Sequence, residues 1–124
     1  MSIAEAPDLF RRLDRELWLV ASRHAGRRGG LISTTVTSAS IVPSIPRVTI
    51  GIAKQHATWE LIEASSAFVL HLLTPEQLDL VERFGMHSSR DVDKFSAGSW
   101  RDDLAGGPRL DGAIGWLDCR VEAR

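Results

Sequence analysis

The sequence predicts a mainly β fold, a β-barrel with peripheral helices. Predicted strands outnumber predicted helices, and the helices lie between groups of strands instead of alternating with single strands. A doubly wound sheet that binds a dinucleotide would carry Gly-x-Gly-x-x-Gly after a strand, and that motif does not occur. The chain has 124 residues, so we expect a single domain over residues 1–124.

The spacing of apolar residues predicts the individual elements. Strands are predicted over residues 17–22, 31–40, 47–53, 67–73 and 113–121. Helices are predicted over residues 8–16, 57–64 and 74–85. Thr74 would be the N-cap of the last helix, with Pro75 at its first position. The arginine- and glycine-rich residues 23–30 predict a hairpin turn, and residues 86–112 predict a loop.

Charge and composition narrow the function classes. The formal net charge of −1 argues against a protein whose main task is to bind nucleic acid or an anionic membrane. No apolar run is long enough to span a bilayer, and the N-terminus has no apolar signal core, so we expect a cytoplasmic protein. The arginines at 23, 27 and 28 form either a solvated loop or a landing point for an anionic ligand or an acidic partner.

The sequence carries no motif for metal binding or for side-chain catalysis. The histidines are spread along the chain, and the single cysteine, Cys119, has no Cys-x-x-Cys partner, so no metal site is predicted. Cys119 lies in an alternating segment and is interpreted as a small buried residue. His71 is interpreted as a core histidine with satisfied hydrogen bonds. Asp91 and Asp93, like the adjacent acids at 102 and 103, are interpreted as solvated loop carboxylates.

Residues 30–58 carry most of the functional information. A strand rich in serine and threonine, residues 31–40, precedes a turn between Pro43 and Pro46, and a second strand ends near Lys54. Neither face of the first strand is purely apolar, and buried hydroxyl groups need hydrogen-bond partners. A bound polar cofactor would supply them. Alternatively, the strand is exposed or at a sheet edge, and its threonines reflect β propensity.

Six segments between residues 9 and 121 occur together in one order. They are Gly29–Ser40, the proline turn 43–46, Lys54-Gln55-His56-Ala57-Thr58, Phe68–Leu73, Asp93-Lys94-Phe95, and Leu110–Ala113 with Leu117-Asp118-Cys119. In this order they resemble the flavin reductase-like family of FMN-binding split barrels. The chain departs from the family pattern at His56, where serine is common, and at His71, where asparagine is common. The family's Gly-Asp-His element and closing strands are not found before Arg124, so we expect a domain without them.

The resemblance implies a split β-barrel of Greek-key type that binds FMN, with FAD as a second possibility, in a homodimer. Ser33, Thr34, Thr35 and Ser38 would line the flavin ring. Ala53, Lys54, His56 and Thr58 would complete the cofactor site, the last three of them at the phosphate. No side chain is assigned a catalytic role.

The resemblance also implies an activity. A flavin reductase would take hydride from NADH or NADPH and deliver electrons to a monooxygenase or another acceptor. The first alternative is an FMN-bound electron-transfer or flavin-binding module without nicotinamide activity of its own. The second is a barrel that has lost its cofactor and serves as an interaction domain.

Overall fold

The computed structural model of the chain describes residues 2–90 and 92–124. The strands are β1 Trp18–His24, β2 Arg27–Ser33, β3 Val36–Ser38, β4 Val48–Ile50, β5 Ala67–Leu72, β6 Trp100–Arg101, β7 Arg109–Leu110 and β8 Gly115–Arg120. The helices are α1 Ala6–Phe10, α2 Ala57–Ser65 and α3 Leu78–Gly85, and a 3-10 turn covers Ile3–Glu5. Asp91 lies outside the described residues, so its interpretation as a solvated acid stays a prediction.

The largest sheet has the strand order β2-β1-β5-β8 and is antiparallel throughout. Two further antiparallel pairs, β3 with β4 and β6 with β7, form separate sheets. The prediction of a mainly β fold with a few helices outside the sheets is therefore confirmed. Closure of these sheets into a split barrel stays a prediction.

The two faces of the large sheet pack against different helices. Successive side chains of a strand point to opposite faces, so β1 contributes to two cores. Leu19 and Ala21 pack with Phe84 of α3, whereas Val20 packs with Ile62 of α2. Strand β2 consequently lies between the two helices at one edge of the sheet, and this arrangement shapes the candidate site.

The first hairpin begins and ends at different residues from those predicted. Its turn is only Ala25-Gly26, with φ of 50° and 77° at the two residues. A two-residue turn with positive φ at both positions matches the right-handed twist of paired strands. Pairing therefore continues through Arg27 to Ser33, and Gly29 and Gly30 of the predicted turn belong to β2.

The predicted strand over residues 31–40 is interrupted after Ser33. The backbone N–H of Thr35 donates to Ser33 Oγ at 3.1 Å. Such local side-chain to backbone bonds compete with the strand ladder. Strand β2 ends at Ser33 for this reason, and β3 begins at Val36.

The first and last predicted helices are also shorter than expected. Helix α1 ends at Phe10, and Leu9 and Leu13 are 43% and 49% exposed, so no packed apolar face extends the helix. Helix α3 begins at Leu78 instead of Thr74. The backbone N–H of Thr74 donates to Gln77 Oε1 at 2.8 Å, and these residues form a turn before the helix.

His71 is a fully buried residue of β5 with both ring nitrogens engaged, as predicted. Its Nδ1 lies 3.0 Å from the carbonyl oxygen of Leu19, and its Nε2 accepts the N–H of Leu110 at 3.1 Å. Since Nε2 is an acceptor, the proton is on Nδ1 and the ring is neutral. Burial lowers the pKa of His71, because the charged imidazolium is poorly solvated there.

Cys119 on β8 is half-buried, in partial agreement with its prediction as a small buried residue. Burial raises the pKa of its thiol to about 11. The thiol is therefore protonated at neutral pH, which agrees with a structural role instead of a nucleophilic one.

Within the described part of the chain, no helix has the length and apolar character needed to cross a membrane.

Two strand glycines give a matched test of the packing around β2. A Cβ added to Gly30 would lie 2.7 Å from two atoms of the Phe84 ring and 3.2 Å from the carbonyl oxygen of Val20. We expect Gly30→Ala to lower the free energy of unfolding by about 1–3 kcal/mol because a packed core resists added volume. A Cβ added to Gly115 has no atom within 4 Å, so Gly115→Ala should change the free energy of unfolding by less than about 0.5 kcal/mol. Equal urea midpoints for the two variants would contradict this packing.

The neutral state of His71 predicts how stability depends on pH. The folded-state pKa lies below the unfolded value, so the unfolded chain binds more protons between the two values. This contribution to stability is present above about pH 6.5 and is lost as the pH falls toward the folded-state pKa. Urea midpoints should therefore fall between pH 7 and pH 5, and His71→Asn should flatten that slope. An unchanged slope in the variant would assign the pH dependence to other groups.

Candidate functional site

Two concave surfaces lie along β2 and β3. An open groove of about 590 Å³ is lined by Thr34, Val36 and Ser38 of this segment, by Trp18, and by the 40–48 turn. A smaller cavity of about 60 Å³ is lined by residues 30–32, the start of α2, the end of α3, residues 87–89 and Lys94. Ligand pockets usually measure about 300–1,000 Å³, so the groove has room for a ring system and the cavity only for a small group.

The predicted ring-lining residues divide into two pairs. Ser33 and Thr35 have their hydroxyl oxygens 3.0 Å apart, and Thr35 Oγ1 donates to the carbonyl oxygen of Gly51 at 2.9 Å. These bonds join the end of β2 to the residues after β4. The protein itself thus supplies partners to these hydroxyls, contrary to the argument that a cofactor must do so. Thr34 and Ser38 are exposed and line the groove, where a ligand can reach them, although Ser38 Oγ also donates to the carbonyl oxygen of Ser40 at 3.4 Å.

The predicted phosphate-binding residues surround the start of α2. Ala53, Lys54 and His56 are exposed in the loop before the helix, His56 is its N-cap, and Thr58 is 2% exposed in its first turn. The first N–H groups of a helix have no intrahelical acceptors, and the helix dipole favours an anion at that end. The loop is braced by Arg90, which donates to the carbonyl oxygen of Gln55 at 2.9 Å.

The small cavity brings His56 and Thr58 together with residues that the sequence did not assign. Lys94 lines it and is 2% exposed; its ammonium donates to the carbonyl oxygens of Gly30 at 2.8 Å and Phe84 at 3.0 Å. Burial lowers the pKa of Lys94 to about 8. Ser89 also lines the cavity and accepts the N–H of Gly30 at 3.1 Å. The segment Asp93-Lys94-Phe95 resembles a family element, but nothing in its spacing indicates a buried lysine.

The structure does not place all predicted site residues in one pocket. Thr34 and Ser38 line the groove, His56 and Thr58 line the cavity, and Lys54 lines neither. The two surfaces are joined by β2, whose Gly30 borders the cavity four residues before Thr34, a separation of up to about 13 Å along an extended chain. Hydroxyl groups beside a ring-sized groove, with cations and a helix N-terminus further along the strand, fit a ligand that has a polar ring and an anionic tail.

The chain belongs to the flavin reductase-like family. The family's sequence model, described as the flavin reductase like domain, matches residues 10–124, which is most of the chain. The match confirms the resemblance seen in the order of the sequence segments.

Among the relatives, the reductase subunit of a flavin-dependent monooxygenase from Mycobacterium tuberculosis is 38% identical over 68 residues, 55% of this chain and 35% of that protein. An FMN reductase (NADH) from Cronobacter sakazakii is 26% identical over 115 residues, 93% of this chain and 68% of that protein. Among solved structures, a homologue of nitrilotriacetate monooxygenase component B from Mycobacterium thermoresistibile superposes with a TM-score of 0.81 at 28% identity, over 98% of this chain and 68% of that one.

The matched region is shorter than many of these relatives. The chain covers from 35% to 55% of the length of the first curated relatives that it matches. What those complete proteins do therefore bears on this chain only through the proposals below.

The division of the hydroxyl groups predicts different effects of two threonine substitutions. Thr35→Val removes the bonds to Gly51 and Ser33 and should lower the free energy of unfolding by about 1 kcal/mol. Thr34→Val replaces an exposed hydroxyl and should change the free energy of unfolding by less than about 0.5 kcal/mol. Urea denaturation of the two variants measures the difference. A Thr35→Val variant as stable as the unmodified chain would show that the bonds of Thr35 do not hold the strands together.

Proposed function

We propose that this chain, as a single domain over residues 1–124, binds FMN and acts as a flavin reductase that passes hydride from NADH or NADPH to the flavin. The observation that carries the proposal is the family match over residues 10–124. The hydroxyl groups between residues 33 and 38 and the N-terminus of α2 beside β2 support it. The relative from Cronobacter sakazakii, whose name specifies both FMN and NADH, supports the choice of cofactor and co-substrate.

The flavin ring would lie in the groove. Thr34 and Ser38 reach this surface directly, and Ser33 and Thr35 would shape it through their hydrogen bonds and their backbone groups. The bonds of Ser33 and Thr35 keep this stretch of backbone in one conformation. A ligand that binds a preformed surface loses less affinity to ordering of the protein.

The phosphate of the flavin would lie at the start of α2. Lys54 and His56 would donate charge-assisted or neutral hydrogen bonds, and Thr58 would contribute its hydroxyl or its backbone N–H. Ala53 is small and would let the ligand pass close to the backbone. FAD could place its first phosphate at the same position and extend its nucleotide beyond the loop.

When bound, the flavin supplies the chemistry of hydride acceptance, and the chain supplies binding and orientation. The roles proposed for its residues are accordingly those of hydrogen-bond donors and of a rigid support. A site made of hydroxyl groups, amides and cations can bind and orient the flavin in this way. No side chain is assigned the role of acid or base.

The proposal extends to architecture and partners. We expect the sheets to form a split β-barrel of Greek-key type, in a homodimer in the cytoplasm. The 41–45 segment presents Ile41, Val42 and Ile45, each at least 47% exposed, and Val42 lines the groove, which suits a contact between copies. The name of the Mycobacterium tuberculosis relative supports a monooxygenase component as the electron acceptor.

The proposed function is tested with purified protein, FMN and NADH or NADPH. We expect flavin fluorescence or absorbance to change on binding, and the nicotinamide nucleotide to be oxidised with turnover. FMN binding without oxidation would instead indicate an electron-transfer or flavin-binding module. Absence of flavin binding would indicate an interaction domain and would contradict the proposal.

Lys54→Ala tests the position of the phosphate. Loss of a charge-assisted hydrogen bond is worth about 1.5–3 kcal/mol, so the Kd for FMN should rise roughly tenfold to a hundredfold. Arg120→Ala is the matched control, because it removes an exposed cation from β8 at the opposite edge of the large sheet. Equal Kd values for Lys54→Ala and the unmodified chain, measured by fluorescence titration, would show that the phosphate does not lie at this loop.

A further inference from the structure

Strand β2 forms an edge of the large sheet, and one of its residues is held by side chains instead of by another strand. Gly30 donates its N–H to Ser89 Oγ at 3.1 Å and accepts a hydrogen bond from Lys94 Nζ at 2.8 Å. Both partners come from the segment that follows α3. Backbone groups that are buried without partners are strongly unfavourable, so these two side chains complete the edge of the sheet.

A lysine is a costly residue for this task. A neutral donor could also bond to the carbonyl oxygens of Gly30 and Phe84, whereas burying an ammonium group sacrifices its hydration. The nearby carboxylate of Asp93 lies with Arg28, 3.7 Å from its guanidinium. The lowered pKa of Lys94 reflects the cost of burial. Because a neutral donor could make the same two hydrogen bonds at lower cost, we expect the positive charge itself to have a function.

The surroundings of the ammonium group indicate that purpose. Lys94 lines the same small cavity as His56 and Thr58, beside the start of α2. Charges interact more strongly in a region of low effective dielectric than they do in water. The buried cation and the helix N-terminus therefore add their fields where the proposed function needs an anion.

We infer that Lys94 is a positioning residue for the anionic end of the bound flavin. It fixes Gly30 of β2 against the end of α3, and its charge raises the affinity of the cavity region for a phosphate without requiring direct contact. The inference rests on the proposed function, because it concerns the same ligand. It adds a residue outside the predicted site and assigns the second half of the chain a part in recognising the phosphate.

The test compares FMN with riboflavin, which has the same ring but no phosphate. Lys94→Met keeps an unbranched side chain of nearly the same length and removes the charge together with the two hydrogen bonds. We expect its Kd for FMN to rise about tenfold and its Kd for riboflavin to change by less than twofold, with a lower thermal midpoint because the carbonyl oxygens of Gly30 and Phe84 lose their donor. Arg109→Met is the matched control, since it removes a largely buried cation that does not line the cavity, and its two Kd values should stay equal to those of the unmodified chain.

Two results would overturn the inference. A parallel loss of FMN and riboflavin affinity in Lys94→Met would show a purely structural role, and an unchanged FMN affinity would show no role in binding. If the unmodified chain binds neither flavin, the proposed function fails as well. If it binds FMN and only the Lys94 result is negative, the proposed function stands.

A pH series on the unmodified chain decides the matter if Lys94→Met does not fold. Burial lowers the pKa of Lys94 to about 8, so FMN affinity should fall roughly fourfold between pH 7.5 and pH 9, while riboflavin affinity stays constant. Among residues 2–90 and 92–124, the charged and titratable groups facing this region are His56 and His87 in the cavity wall, the Arg28–Asp93 pair and the Arg90–Glu60 pair. A constant FMN affinity over this range would overturn the inference.

Discussion

The edge of strand β2 is the constraint on which the rest of the structure depends. Gly30 packs against the ring of Phe84 so closely that a Cβ does not fit, and its backbone groups bond to Ser89 and Lys94. This contact fixes α3 and the following segment against the sheet on one side. On the other side, Gly29 lies against Leu61 and Thr58 of α2. Two adjacent glycines thus allow both helices to approach the same strand.

The candidate site is a consequence of this close approach. Because α2 lies against β2, its N-terminus opens beside the strand, and the loop before it carries Lys54 and His56 to the same region. Beyond Ser33 the strand breaks and turns into β3, where Thr34 and Ser38 face the groove. The segment from Gly30 to Ser38 therefore borders the small cavity with its cationic side chains at one end and the hydroxyl-lined groove at the other. A flavin mononucleotide has the complementary distribution of charge and ring.

Much of this was predictable from the sequence, and the exceptions have identifiable causes. Apolar patterning predicted helix α2 and the core strands that contain Val20 and Leu70. The position of His71 on one of these strands predicted a buried imidazole with hydrogen-bond partners. The break after Ser33 did not, because a local hydroxyl to N–H bond leaves no trace in β propensity. Lys94 was not predicted as a site residue because its burial depends on contacts with residues 64 positions away. The sequence also did not show that the hydroxyl group of Thr35 has a hydrogen-bond acceptor within the protein. That acceptor is the carbonyl oxygen of Gly51, which the fold brings beside Thr35 after β4.

A crystal structure of the chain with FMN would show where the flavin lies. We expect the flavin ring against residues 34–38, with the phosphate oxygens within hydrogen-bond distance of Lys54, His56 or the first N–H groups of α2. We also expect the bonds of Lys94 to Gly30 and Phe84 to persist in the complex. A flavin bound at another face, or a phosphate turned away from α2 toward solvent, would show that the two surfaces along β2 and β3 are not the cofactor site.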